Sequence, residues 1–241
     1  VGFLVVATNA ALALALMRSN SNRMVPSVLL IVLTSAAMAA AILDGTLRRE
    51  ILSEPATVVF AIQPNVPMEG VDDSASMEQL LNRHLDLSAQ ALRDAPAETS
   101  AGRLVVWPES PMNFSYSRDP HLRDIVSSFA RSNHVCVLLN SLEPAPDGGE
   151  YNSAVMVNEE GRIVAQYDKI RLMPFGEYVP LPQWLPGASS VRGIVGDFTP
   201  GSSYTLMPLG AFRAGAFICI EAAHPEVART FTKAGAAVLI N

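Results

Sequence analysis

The sequence predicts an α/β domain preceded by two transmembrane helices, and three observations carry that reading. Residues 1–17 ("VGFLVVATNAALALALM") and 25–43 ("VPSVLLIVLTSAAMAAAIL") contain no charged residue. From residue 57 onward, β-rich runs alternate with segments of helical period, the pattern of a layered α/β protein. Between 172 and 203 lies a stretch with no sustained period that nonetheless holds Phe175, Tyr178, Trp184 and Leu185; loops of that length inside compact domains are usually functional.

The run 25–43 is 19 residues long, close to the ~20 that cross a bilayer. The run 1–17 has neither a basic region before it nor a small-residue cleavage site after it, so it does not read as a secretory signal peptide. Arg18 and Arg23 in the connector place that connector in the cytoplasm by the positive-inside rule and send residue 44 onward to the other side. Arg48 and Arg49 weaken the asymmetry. The domain reading is therefore a membrane segment over 1–50 and a catalytic domain over 51–241.

Within 51–241 the elements follow in order. "TVVFAIQPN" (57–65) is a strand closed by Pro64, and residues 72–93 place Met77, Leu80, Leu81, Leu85 and Leu92 on one helical face. "RLVVWPES" (103–110) is a second strand, "DPHLRDIVSSFARSN" a helix, and "HVCVLLNS" (134–141) a third strand. "YNSAVMVNEEGRIVAQYDK" reads as a hairpin turning at Asn158 to Gly161, where glycine supplies a positive φ. "SYTLMPLG", "FRAGAFICIE", a helix from Pro225 and a last strand "AVLIN" complete the domain.

Composition excludes several classes. Residues 51–241 carry 13 basic against 21 acidic residues, a net charge of −8, and no basic patch is interleaved with aromatics, so nucleic acid is not an expected partner. No Gly-rich phosphate loop is found. The two cysteines, Cys136 and Cys219, form no CxxC and have no metal-type spacing to histidine, so neither a metal nor a cofactor is implied. Both sit in apolar strand-like runs, and a disulfide between them is not expected.

Three chemically distinctive residues fall where strands end, the place at which α/β sheets present reactive groups: Glu109 in "VVWPES", Lys169 in "QYDKIRLMPFGEYVP" and Cys219 in "FICIE". Lysine is rare here, since 15 of the 17 basic residues are arginine, and an ammonium is not interchangeable with a guanidinium at a crowded site. A thiol, a carboxylate and an ammonium suffice for acyl transfer through a covalent intermediate: the carboxylate takes the thiol proton, the thiolate attacks a carbonyl, and the cation stabilises the oxyanion. A neighbouring ammonium is also expected to favour the thiolate. Taken alone, Cys219 would be a buried structural residue, as Cys136 is expected to be. His224, five residues past Cys219, suggests a Cys–His pair but precedes Pro225 at an expected helix start.

The three motifs, in this order and context, resemble the Glu, Lys and Cys motifs of the nitrilase (carbon-nitrogen hydrolase) superfamily. Within it, "IQPNV" (62–66), "PFGEYVPL" and the leading apolar runs resemble the apolipoprotein N-acyltransferase family, over about residues 26–241. The resemblance implies a nitrilase-like αββα sandwich behind transmembrane helices, in a longer protein with more membrane helices and a further C-terminal end. It implies an enzyme of the bacterial inner membrane, facing the periplasm, that moves an acyl chain from a phospholipid to the α-amino group of a lipoprotein's diacylglyceryl-cysteine. Glu109 then matches the general base and acid, Lys169 the oxyanion stabiliser and Cys219 the thioester-forming nucleophile. Glu177 matches a carboxylate that positions the lysine, and Glu221 one required just after the cysteine. Ile220 departs from the tyrosine common at that position, which puts lipid contacts by that ring in doubt. Two other readings stand beside this one: an amidase of the same superfamily with water as acceptor, and a membrane-anchored module without catalysis.

Overall fold

The computed structural model describes residues 6, 8–10, 13, 31–40, 42–43, 57–65, 74–95, 102–109, 114–180 and 198–241. The chain divides into two compact units, Val1–Pro55 and Ala56–Asn241. In the first, residues 31–40 are helical. Val32 and Leu33 are exposed, while Thr34 is buried, receives a hydrogen bond from the Thr8 hydroxyl at 2.9 Å and donates its own to the Ile31 carbonyl at 3.1 Å. Among the described residues no helix is long and apolar enough to cross a membrane; the expected span 1–17 lies for the most part outside the described residues, as do residues 25–30 and 41 of the expected span 25–43.

The second unit is built from two sheets. The larger has the order β1 (Thr57–Ala61), β2 (Gly102–Val106), β3 (Cys136–Pro144), β4 (Glu150–Val157), β5 (Ile163–Asp168). Its first three strands run parallel, and β3, β4 and β5 pair antiparallel. The smaller sheet has the order β6 (Leu206–Leu209), β7 (Phe212–Ala216), β8 (Val238–Ile240), with β7 and β8 parallel. Helices α1 (Ser74–Asp94) and α2 (Pro120–Asn133) follow β1 and β2, and α3 (Pro225–Lys233) joins β7 to β8.

The alternation of strand side chains builds two cores from one sheet. Val105, Val137, Leu139, Val155 and Val157 turn to one side and pack with Leu80, Leu81 and Leu92 of α1 and Leu122, Val126 and Ala130 of α2. The intervening Leu104, Leu138, Ala154 and Met156 turn to the other and meet Met207, Ala214 and Ala216 of the small sheet and Val227 and Phe231 of α3. Both large-sheet faces are thus covered, as near-continuous apolar strands require. Helix α2 is capped by Asp119, whose carboxylate accepts from the His121 and Leu122 amides at 2.9 and 3.1 Å. A tight approach fixes β7 against α3: a Cβ on Gly215 would lie 2.6 Å from the Phe231 ring.

The expected strand through "FRAGAFICIE" is shorter than its apolar run. β7 ends at Ala216 and the chain turns into a single 3-10 helix, Cys219–Ala223. The apolar Ile218 is buried as the last extended residue before the turn, so its hydrophobicity reports burial rather than pairing. The hairpin of β4 and β5 turns at Gly161 with φ 73°, where the sequence places it. Of the long irregular stretch 172–203, residues 181–197, with Trp184 and Leu185, lie outside the described residues.

Candidate active site

Five residues singled out in the sequence belong to three segments that follow β2, β5 and β7. Glu109 stands three residues past β2, Lys169 is the first residue past β5, and Cys219 opens the 3-10 turn after β7. Glu177 lies in a turn beyond Lys169 in which its own amide bonds the Met173 carbonyl at 2.8 Å. Glu221 is inside the 3-10 turn and is fully buried.

The fold brings the charged groups together. The Lys169 ammonium, 1% exposed, donates to Glu177 Oε1 at 2.8 Å and stands 3.6 Å from Glu109 Oε1. A buried ammonium is tolerable only when paired and hydrogen-bonded, and here two carboxylates face it. Glu177 Oε2 accepts the Met173 amide at 2.8 Å, which fixes the loop that carries it.

Cys219 has φ 51°, a left-handed conformation that a residue with a Cβ adopts only under constraint and that is often found at functional sites. Ile218 before it is extended, with φ −120° and ψ 123°, so the chain reverses sharply at the sulfur. The geometry resembles the strained strand-to-helix turn that exposes a nucleophile above a sheet, and Cys219 is exposed while Cys136 is buried. Neither cysteine forms a disulfide. Partial loss of solvent around the sulfur, followed by the charge of Glu109, pushes the Cys219 thiol up; the Lys169 ammonium and the Ile220 N–H pull it down without prevailing. This corrects the expectation from the ammonium alone. The thiol therefore rests protonated, in the same cavity as Glu109, the carboxylate that could remove its proton.

Glu221 ties two of the three segments together. Its Oε1 accepts from the Tyr167 hydroxyl at 2.8 Å and from the Ile170 and Arg171 amides at 2.9 Å, and its Oε2 accepts from the Ile218 amide at 2.9 Å. Burial and the Glu221 charge push the Tyr167 hydroxyl far up, so it is a permanent donor. With four bonds made to groups other than the sulfur, the carboxylate staples the chain around Lys169 to the chain before Cys219.

Two cavities flank the turn. One, of ≈ 210 Å³, is lined by Trp107, Glu109, Asn140, Ile218 and Cys219 among others. The other, of ≈ 380 Å³, lies past Ile220 against Arg171, Tyr178, Phe198 and His224. His224 turns its Nδ1 to Glu226 Oε1 at 3.2 Å, so the Cys–His pair suggested by spacing is not formed. Among the described residues no group of three or more His, Cys, Asp or Glu is placed to hold a metal ion.

Two asparagines in the site escaped the reading of the sequence. Asn152 on β4 donates from Nδ2 to Glu109 Oε1 at 3.0 Å and to Glu177 Oε1 at 2.8 Å, and its Oδ1 accepts from Asn140 Nδ2 on β3 at 2.7 Å. Asn140 pairs with Ala154 and Leu142 with Asn152 in the ladder, so the two asparagines are diagonal neighbours on one face. A signal was present: asparagine is disfavoured in strands, yet "VCVLLNSL" and "YNSAVMV" each carry one amid apolar residues.

Comparison with known proteins follows this geometry. The carbon-nitrogen hydrolase family pattern matches residues 61–241. An apolipoprotein N-acyltransferase of Geobacter metallireducens is 31% identical over 186 residues, covering 76% of this chain and 35% of that protein. One of the same name from Allorhizobium ampelinum is 30% identical over 178 residues, covering 70% of this chain and 33% of that protein. The chain thus spans about a third of the length of these relatives. Among solved structures, a mutant amidase of the nitrilase superfamily from Nesterenkonia AN1 superposes with a TM-score of 0.50 at 15% identity, over 78% of this chain and 65% of that one. Another mutant of an amidase from Nesterenkonia sp. AN1, with the acetamide moiety of fluoroacetamide added covalently at its active-site cysteine, gives 0.51 at 16% identity, over 78% and 64%. At those identities the likeness concerns the fold, which is the nitrilase-like α/β fold. The chain belongs to the carbon-nitrogen hydrolase family.

Proposed function

We propose that this chain is the catalytic part of a phospholipid-dependent acyltransferase, which N-acylates the N-terminal diacylglyceryl-cysteine of lipoproteins through a thioester on Cys219. The observation that carries the reading is the convergence of three separate segments on one point: a thiol on a strained turn shares a cavity with Glu109, whose carboxylate stands 3.6 Å from a buried ammonium. The name shared by the relatives, apolipoprotein N-acyltransferase, supports acyl transfer to a lipoprotein acceptor.

In the first half-reaction Glu109 takes the thiol proton as the sulfur attacks an ester carbonyl of the phospholipid. Lys169 stabilises the oxyanion, Glu177 holds the lysine, and Glu109 returns the proton to the departing lysophospholipid oxygen. In the second, the α-amino group of the acceptor attacks the thioester, Glu109 accepts its proton, and the amide leaves as the thiol is restored. The turn past Ile220, with its apolar cavity, is where an acyl chain has room to lie. Residues 1–50 act as the membrane segment and the catalytic unit faces the periplasm, a placement supported by the charge-free runs and by Arg18 and Arg23.

Intact-mass analysis of the full-length protein in phospholipid bilayers tests this. An acyl adduct on Cys219, discharged by a diacylglyceryl-cysteine peptide, is expected. Ammonia release from small amides without lipid would instead favour the amidase reading, and the absence of any adduct would favour a non-catalytic module.

A further inference from the structure

The charged cluster contains two carboxylates and one ammonium, and its distances are unequal. Lys169 is committed to Glu177 at 2.8 Å, while Glu109 at 3.6 Å is beyond an ordinary hydrogen bond from it. The side chain that does hold Glu109 Oε1 is Asn152, at 3.0 Å, and the same Nδ2 reaches Glu177 Oε1 at 2.8 Å. Both N–H bonds of one amide are thus divided between two carboxylates that would otherwise repel. The backbone of the same residue adds a third hold, because the Asn152 carbonyl accepts the Lys169 amide at 2.8 Å.

The orientation of this amide follows from chemistry. Carboxylates accept only, so the NH₂ must face both of them, and the carbonyl must face Asn140, which donates to it at 2.7 Å and also bonds the Ser153 carbonyl at 3.1 Å. A flipped amide would set its oxygen against two anions. Asn152 is 6% exposed, so water does not substitute freely for its bonds.

We propose that Asn152 is a positioning residue of the acyl-transfer site: its amide, locked by Asn140, holds Glu109 beside Cys219 and so leaves the remaining Lys169 N–H donors free for the oxyanion. This rests on the acyl-enzyme reading above. Without the amide, Glu109 would turn to the ammonium for its missing donor. The base would then move off the thiol, and the cation would be consumed by an ion pair. Misplacement of about 1 Å at a reacting centre costs on the order of 100-fold.

The test compares the full chain in phospholipid bilayers with Asn152→Ala and with the isosteric Asn152→Asp, which keeps the volume if the smaller residue impairs folding. The rate of acyl-Cys219 formation at saturating phospholipid is expected to fall by about 10- to 100-fold, with half-saturation changed less than about threefold, since Asn152 lines neither cavity beside the Cys219 turn. A second readout needs no catalysis. In a double-mutant cycle the Tm deficit of Asn152→Ala should shrink when Glu109 is also replaced by Ala, because the amide then has one carboxylate fewer to hold. An unchanged rate, or a loss accompanied by an equal change in half-saturation and by purely additive Tm deficits in the cycle, would overturn the proposal. If the unmutated chain forms no adduct, the acyl-transfer reading fails, and the Tm comparison still decides whether Asn152 holds the carboxylates.

Discussion

Cys136 and Cys219 are written alike in the sequence, each a lone thiol in an apolar run, and the fold separates them completely. Cys136 opens a central strand, is buried, and has its thiol pushed up to about 11 by loss of solvent and then by Glu159. Cys219 stands past the end of its strand, at positive φ, exposed, within reach of a carboxylate and an ammonium. Reactivity therefore comes from how the backbone delivers the sulfur and from what stands beside it; the apolar context is shared.

The comparison is broken most sharply by substitution. Cys219→Ala should abolish acyl transfer in bilayers to the limit of detection, while Cys136→Ala should leave the rate within about threefold of the original, because no reacting group touches it. Alkylation comes next: a small iodoacetamide probe should modify Cys219 at least about tenfold faster than Cys136, followed by peptide mass analysis. Since the Cys219 thiol is raised, the thiolate is the minor species at neutral pH, and its labelling should climb about tenfold per pH unit until its pKa is passed. A rate that is flat between pH 6 and 8 would mean that the ammonium dominates after all.

Smaller effects probe the mount. Glu177→Ala leaves the Lys169 ammonium buried with one distant partner, and should cost about 3–5 kcal/mol of stability in denaturant titration. Gly215→Ala would drive a methyl group into the Phe231 ring and should cost about 1–3 kcal/mol, at the strand that leads to Cys219. Cys136→Ala, a small cavity in a well-packed sheet, should cost about 1 kcal/mol. If it costs more than Gly215→Ala, the structural thiol is the more tightly built of the two sites.

Much of this was legible in the text of the chain. The strands and helices of the catalytic unit follow the apolar periods, and α1 buries Leu80, Leu81 and Leu92 where the helical spacing puts them. Lys169 stands against Glu177 and near Glu109, and Glu109 and Cys219 line one cavity. Hidden were the properties that depend on three bodies at once. The effect of Lys169 on the thiol could not be judged from the pair, because the same ammonium is shared with two carboxylates. Asn152 was hidden because its role arises only when β3, β4 and the segments after β2 and β5 are assembled. Glu221 was visible as a residue near the cysteine, but its four donors come largely from the far side of the chain's turn at Lys169.

Those four bonds on one buried carboxylate have a dynamic consequence. Hydrogen bonds to a charged group contribute about 1.5–3 kcal/mol each, so separating the segment of Ile170 and Arg171 from Ile218 would require losing several at once, an excursion as rare as sub-global unfolding. Nucleophile and cation therefore travel as one rigid piece. The amide hydrogens of Ile170, Arg171 and Ile218 should exchange with solvent slowly and in concert, and whatever enters the site must do so by the yielding of other loops, without the reacting centre ever coming apart.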